Sequence, residues 1–167
     1  MAIRADGSLW GWGRGIEGLF GEGPESWNSP PNPNPVKIAE DVVVISNRRQ
    51  MLKTDGTLWT LGAEPEKIME NIVAFSSEGR TMAIDIYGNL WDLCSVHVTR
   101  CVPEIVMEDV IAIASGSVHS GNYALAITSD GELWGWGCNI HGQLGDGTTV
   151  RDPNPNPVKI MDGVMLP

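Results

Sequence analysis

Cysteine is too scarce in this sequence to staple a fold. The three thiols Cys94, Cys101 and Cys138 cannot make a disulfide framework, which needs an even set at suitable spacing. Cys94 and Cys101 could face each other across a hairpin, and DLCSVHVTRC adds His97 between them as a third metal donor. A zinc site needs a fourth ligand or an open position, and no C-x-x-C is present. The expectation is plain thiols, with no metal and no cofactor. Positive charge is also scarce. Eleven Lys and Arg stand against 21 Asp and Glu, for a net charge of -10. Only Arg48 and Arg49 are adjacent, whereas phosphate-backbone binding needs clustered basic residues. Nucleic acid is therefore not the expected partner. No apolar run reaches the 18 or more residues of a spanning helix, and MAIRADGSLW lacks a signal-peptide pattern. The reading is no membrane partner and, if the chain is complete, a cytoplasmic location. Helical periodicity is missing too: no ten-residue stretch sustains it.

Glycine and proline are abundant instead, at 20 and 11 of 167 residues. They favour many short elements joined by turns. Hydrophobic residues at 42% and charged residues at 19% are an ordinary globular balance. A chain of this length reads as one domain and can bury roughly 70% of its unfolded surface.

The sequence also repeats itself. GSLWGWGRGIEGLFGEGPE (7–25) and GELWGWGCNIHGQLGDGTT (131–149) share G-x-L-W-G-W-G-x-x-I-x-G-x-x-G-x-G without a gap at an offset of 124. Four segments fit one template: MAIRADGSLWGWG (1–13), QMLKTDGTLWTLG (50–62), TMAIDIYGNLWDLC (81–94) and YALAITSDGELWGWG (123–137). Each has an alternating strand, a turn and a strand carrying Leu-Trp. Three Asp-Gly turns and one Tyr-Gly turn predict two-residue hairpins with both turn residues at positive φ. A second phrase recurs at 35–46, 65–76, 103–115 and 157–166, as in PVKIAEDVVVIS. There a proline opens a short strand, an acidic or amide residue marks a turn and a β-branched strand follows. Trp10, Trp59, Trp91 and Trp134 lie 49, 32 and 43 residues apart. The first and last units carry a long loop after the Leu-Trp strand; the middle two are trimmed on that side. The units run approximately 1–46, 47–76, 77–115 and 116–167, in a single domain over 1–167.

LWGWGCNIHGQLGDGT (133–148), PVKIM (157–161) and ASGSVHS (114–120) resemble the repeat of the regulator of chromosome condensation family. The resemblance covers nearly the whole chain. It implies an all-β fold, a partial β-propeller of about four blade units with four short antiparallel strands each. Members typically have seven blades, so four units are a departure. In this reading Leu and Trp fill the wedge between blades, and each phrase recurs because a repeat cannot bury its apolar face alone. The last strand, Val164–Leu166, corresponds to Val42–Val44 and leaves three outcomes: pairing in cis, a homodimer through terminal strands, or an open arc whose edges recruit partners.

Other motifs have structural explanations. GRGIEG (13–18) matches a dinucleotide fingerprint but opens no helix. His119 lies beside Ser117 and Ser120 without a specified base and orienting group; the resemblance makes it architectural. The PNPNP stretches (31–35, 153–157) read as stiff connectors into strands. Acidic residues such as Glu22, Asp55, Asp130 and Asp146 fit no calcium loop. Three residues remain as candidate partner contacts: Trp27, outside the blade template, and Ile140 and His141 in the last long loop. The expected function is a non-enzymatic repeat scaffold that binds a protein of unknown identity through blade loops. The alternative, which the resemblance alone implies, is guanine-nucleotide exchange on a small GTPase.

Overall fold

The computed structural model describes residues 1–13, 32–46, 49–62, 64–93, 102–118, 121–150 and 154–166. The chain packs as two compact units, Met1–Ile72 and Val73–Pro167. In the first unit, β1 (Ala2–Ile3), β2 (Leu9–Gly13) and β3 (Asn32–Ala39) form sheet I in that order. Strands β4 (Val42–Ile45), β5 (Gln50–Lys53), β6 (Leu58–Thr60) and β7 (Lys67–Met69) form sheet II. Strand β8 (Ile72–Ser76) starts at the division. It forms sheet III with β9 (Met82–Asp85), β10 (Leu90–Asp92) and β11 (Glu104–Met107). Sheet IV follows with β12 (Val110–Val118), β13 (Gly121–Thr128), β14 (Leu133–Gly137) and β15 (Asn154–Met161). Neighbouring strands are antiparallel throughout sheets I, II and IV and across β9, β10 and β11 of sheet III, and the described residues contain no helix. The all-β expectation holds.

The hairpin turns differ from the two-residue form the sequence suggests. The N–H of Gly7 donates to the Arg4 carbonyl at 2.9 Å, and the Arg4 N–H donates to the Ser8 carbonyl at 2.9 Å. The same pair of bonds closes the turns at Gly56, Gly88 and Gly131. These glycines alone take the left-handed conformation, with φ of 79°, 78°, 83° and 85°; Asp6, Asp55, Tyr87 and Asp130 do not. This is the three-residue loop with a glycine bulge. It explains why tyrosine can replace aspartate before the glycine.

The second phrase makes a corner. Asp41, Asn71, Asp109 and Gly163 occupy its left-handed position, at φ of 61°, 60°, 58° and 72°, which Asn, Asp and Gly tolerate best. The residue after each corner donates its N–H to the carbonyl of a turn glycine: Val42 to Gly7, Ile72 to Gly56, Val110 to Gly88 and Val164 to Gly131, at 2.8–2.9 Å. In the first three repeats the β-branched strand therefore leaves its own repeat and starts the next sheet; after the last corner residues 164–166 form no strand, so the last strand expected at Val164–Leu166 is not present. Sheets and sequence repeats are out of step by one strand.

Each unit has its own apolar cluster. Leu9, Val42, Met51 and Leu61 are buried together in the first. Met82, Ile84, Leu90, Val110, Ala124, Ala126 and Trp136 are buried together in the second. The leucines of the Leu-Trp pairs do fill the core in sheets I to III, but the anchor tryptophans are only half-buried. Their indoles are tied to the turn instead. Trp10 Nε1 donates to Ser8 Oγ at 2.8 Å, and Ser8 Oγ to Asp6 Oδ1 at 2.5 Å. Trp59, Thr57 and Asp55 repeat this relay. Trp91 reaches Asp85 directly at 2.9 Å, and Trp134 reaches Glu132 at 3.1 Å. A half-buried indole N–H needs such a partner, which is why the anchors sit beside the turn.

Candidate functional site

The last long loop, residues 138–150, starts where β14 ends. Gly137 has a φ of 95°. A Cβ added there would stand 2.4 Å from the Asn122 carbonyl oxygen, so only glycine lets β13 and the loop approach this closely. The Cys138 N–H then donates to that carbonyl at 2.8 Å and turns the chain outward. Cys138 is buried.

Asn139 is the hub of the loop. It is fully buried. Its Nδ2 donates to Asp146 Oδ1 at 2.9 Å and to the carbonyl and Oγ1 of Thr148 at 3.1 Å each. Its Oδ1 accepts the Leu144 N–H at 3.0 Å. Asp146 in turn accepts the N–H and hydroxyl of Thr148 at 2.9 and 2.8 Å. The Thr148 backbone and side-chain bonds, followed by the bond from Asn139, hold the Asp146 carboxyl below its ordinary pKa. Leu144 is buried beneath the loop. One buried carboxamide thus joins both strands of the loop and fixes its backbone.

His141 projects from this frame and is exposed, with its N–H held by Gln143 Oε1 at 3.0 Å. Ile140 beside it is half-buried. The structure brings these two expected contact residues together at the loop's turn. Trp27 lies outside the described residues, as do Glu22, His119, the Cys94–His97–Cys101 set and all of GRGIEG but its first glycine. Among the described residues no group of three His, Cys, Asp or Glu is placed to hold a metal.

Two features escaped sequence reasoning. One is the buried role of Asn139, which the repeat obscures because the first copy has Gly15 at that offset. The other is a cleft of about 250 Å³ at the root of the loop, lined by Arg80, Met82, Tyr123, Trp136, Gly137 and Pro155 among others. Arg80 Nη2 pairs with the buried Asp92 at 2.6 Å, so its charge is engaged. Tyr123 packs over Gly116 across β12 and β13, where a Cβ would come within 2.4 Å of the ring. The walls are mainly apolar and aromatic, suited to a side chain rather than to a charged ligand.

Comparison with known proteins gives this geometry its context. A regulator of chromosome condensation (RCC1) repeat model matches residues 130–165, and a second RCC1 repeat model matches residues 110–143. The chain carries regulator of chromosome condensation repeats. It is 25% identical over 202 residues to the E3 ubiquitin-protein ligase HERC2 of Homo sapiens, covering 97% of this chain but 4% of that protein. It is 31% identical over 136 residues to the protein RCC2 homolog of Danio rerio, covering 78% of this chain and 23% of that protein. Among solved structures, the complex of Kap60 bound to yeast RCC1 (Prp20) matches with a TM-score of 0.67 and 20% identity, over 99% of this chain and 48% of that one. The RCC1-repeat chain described here thus spans less than half of each. Its fold is that of RCC1 propeller proteins, and it is a repeat scaffold. The match to HERC2 covers a repeat fragment of that ligase and carries none of its activity over.

Proposed function

We propose that this chain is a non-enzymatic scaffold that binds a protein partner through the rim loop 138–150 and the cleft at its root. The observation that carries the reading is Asn139. A fully buried side chain is spent on fixing the backbone of a loop whose outer residues are exposed, so the contact surface is ordered before binding. His141 and Ile140 supply the contacts at the turn, Trp27 a further one from the first long loop, and the cleft takes an apolar side chain. The net charge of -10 favours a protein over a nucleic acid. A protein of the same fold, yeast RCC1 (Prp20), is seen bound to Kap60, which supports protein binding. No observation on this chain favours nucleotide exchange.

The test is alanine at Trp27, Ile140 and His141, singly and together, with affinities measured by calorimetry for each partner identified with the wild-type chain. A loss of at least about tenfold, or 1.4 kcal/mol, is expected for the combined variant. Unchanged affinity for every partner would sink the surface.

A further inference from the structure

The third repeat departs from the other three at its turn and at its corner, and both departures meet at one hollow. In the other copies the two residues before the turn glycine are Ala5-Asp6, Thr54-Asp55 and Ser129-Asp130. Here they are Ile86 and Tyr87, 54% and 75% exposed. An exposed turn favours small or polar residues, so the turn itself calls for neither. At the corner, Lys37 pairs with Glu40, Lys67 with Glu70 and Lys159 with Asp162. The third repeat has Ile105 in place of the lysine, and it too is exposed. Glu108 and Asp109 are therefore exposed without an ion pair among the described residues.

The hollow, of about 430 Å³, lies between this turn and the start of β12. Ile86, Tyr87 and Ile111 are its exposed apolar walls, and Asp109 lines it beside them. No Lys or Arg is among the described residues that line it. Backbone bonds hold the walls in place. The Val110 N–H donates to the Gly88 carbonyl at 2.9 Å, and the Ser129 N–H to the Asp109 carbonyl at 2.8 Å. The Tyr87 N–H donates to Asp85 Oδ1 at 2.9 Å. Asp85 gives its remaining acceptor capacity to Asn89 and Trp91, so the uncommitted negative charge is that of Asp109 and, next to it, Glu108. The first repeat gives the contrast. Val43 holds the position of Ile111 and is equally exposed, at 52% against 48%. The turn bonded to its strand is Ala5-Asp6, and its corner carries Lys37.

We infer that this hollow receives a protein segment in which a large apolar side chain stands beside a lysine or arginine. The apolar side chain packs against Ile86, Tyr87 and Ile111. The cation meets Glu108 and Asp109, at the place where the other corners supply a lysine of their own. Charge complementarity selects this occupant: an apolar hollow edged by carboxylates alone rejects an acidic segment and attracts a basic one. The surface shares no residue with the rim loop 138–150 or with the cleft at its root, and neither proposal depends on the other.

The experiment is selection of random dodecapeptides, displayed on phage, on the immobilised wild-type chain after removal of those that bind Tyr87→Asp. The three other turns carry aspartate at this place, so the variant keeps the fold, which circular dichroism checks. If it does not, Ile86→Thr, with the residue of the second turn, replaces it. Peptides that bind the rim loop are removed with the variant, which keeps that loop. The peptides that remain are expected to carry Lys or Arg next to a large apolar residue. They should bind the wild type at least about tenfold more tightly than the variant in fluorescence anisotropy. Ile105→Lys gives Glu108 the partner that the other corners have, and is expected to weaken binding about two- to fivefold. Added salt should weaken it as well. A selection that leaves no peptide, peptides without a basic residue, or an affinity unchanged by Ile105→Lys or by salt would each overturn the inference.

Discussion

A single carboxylate shows how much of this fold is fixed by hydrogen bonds around a turn. Asp85 is buried. Its Oδ1 accepts the N–H groups of Tyr87 and Asn89, and its Oδ2 accepts Asn89 Nδ2 and Trp91 Nε1, all at 2.9 Å. Burial alone would raise its pKa, but the bonds from Trp91, Asn89 and Tyr87 outweigh it and hold the carboxyl low. Asp85→Asn turns an acceptor into a donor that faces two donors. The expected cost is about 2–3 kcal/mol of stability, read as a lower urea midpoint with an unchanged m-value. The sequence showed the Leu-Trp anchors and the turns beside them. It did not show that the residue between glycine and leucine (Ser8, Thr57, Asn89 or Glu132) serves the indole or its acceptor. Four residue types do that work by different reach, so no shared letter marks the position.

At the scale of strands and turns, the same sequence was easier to read. Alternation and turn residues placed all four hairpins, and the acidic or amide corner of the second phrase is where Asp41, Asn71 and Asp109 adopt the left-handed conformation. The turn type was misread because an Asp-Gly pair suits both the two-residue turn and the three-residue loop. The deciding hydrogen bonds lie between backbone groups. In the loop 138–150 Ile140 and His141 stand out by position, but Asn139 is visible only once its partners Asp146 and Thr148 are seen across the loop. Gly137 joins strand to loop, and Gly137→Ala tests that joint. The new Cβ would meet the Asn122 carbonyl at 2.4 Å, on a backbone that alanine adopts only under strain. A loss on the order of 3 kcal/mol is expected from strain and overpacking together, as a lower thermal midpoint. Gly13→Ala is the control. It has φ of 99° but no neighbour within 4 Å, so it should cost less.

For the molecule as a whole, turn carboxylates couple folding to pH. The first cause is the Ser8 hydroxyl for Asp6, the Thr57 hydroxyl for Asp55 and the Thr128 hydroxyl for Asp130; in each case it lowers the pKa. Asp85 and Asp146 are lowered as well. A carboxyl whose folded pKa lies below its unfolded value of about 3.9 adds stability that is fully present above that value. The gain is lost as pH falls through the lower folded values. The melting temperature should therefore hold from neutrality to mild acid and drop below about pH 4, in calorimetric scans at fixed ionic strength. A midpoint that rises as the pH is lowered from 4 to 3 would contradict this account. Lys159 is held protonated by Asp162 and Glu132 and stays charged over that range.

The one-strand offset between sheets and repeats also bears on how a gene of this kind changes length. Unequal exchange between two copies of a repeat cuts through a sheet, between its β-branched strand and its hairpin. The strand that arrives at the cut comes from an equivalent corner and meets an equivalent turn glycine, so the ladder is restored in register. Repeats can be added or lost in whole steps without leaving a half-built sheet. The anchor tryptophans are spaced 49, 32 and 43 residues apart; most of that variation falls in the stretch after the Leu-Trp strand, where the ladder is not at stake, and the rest lengthens β12 and β13 as a matched pair.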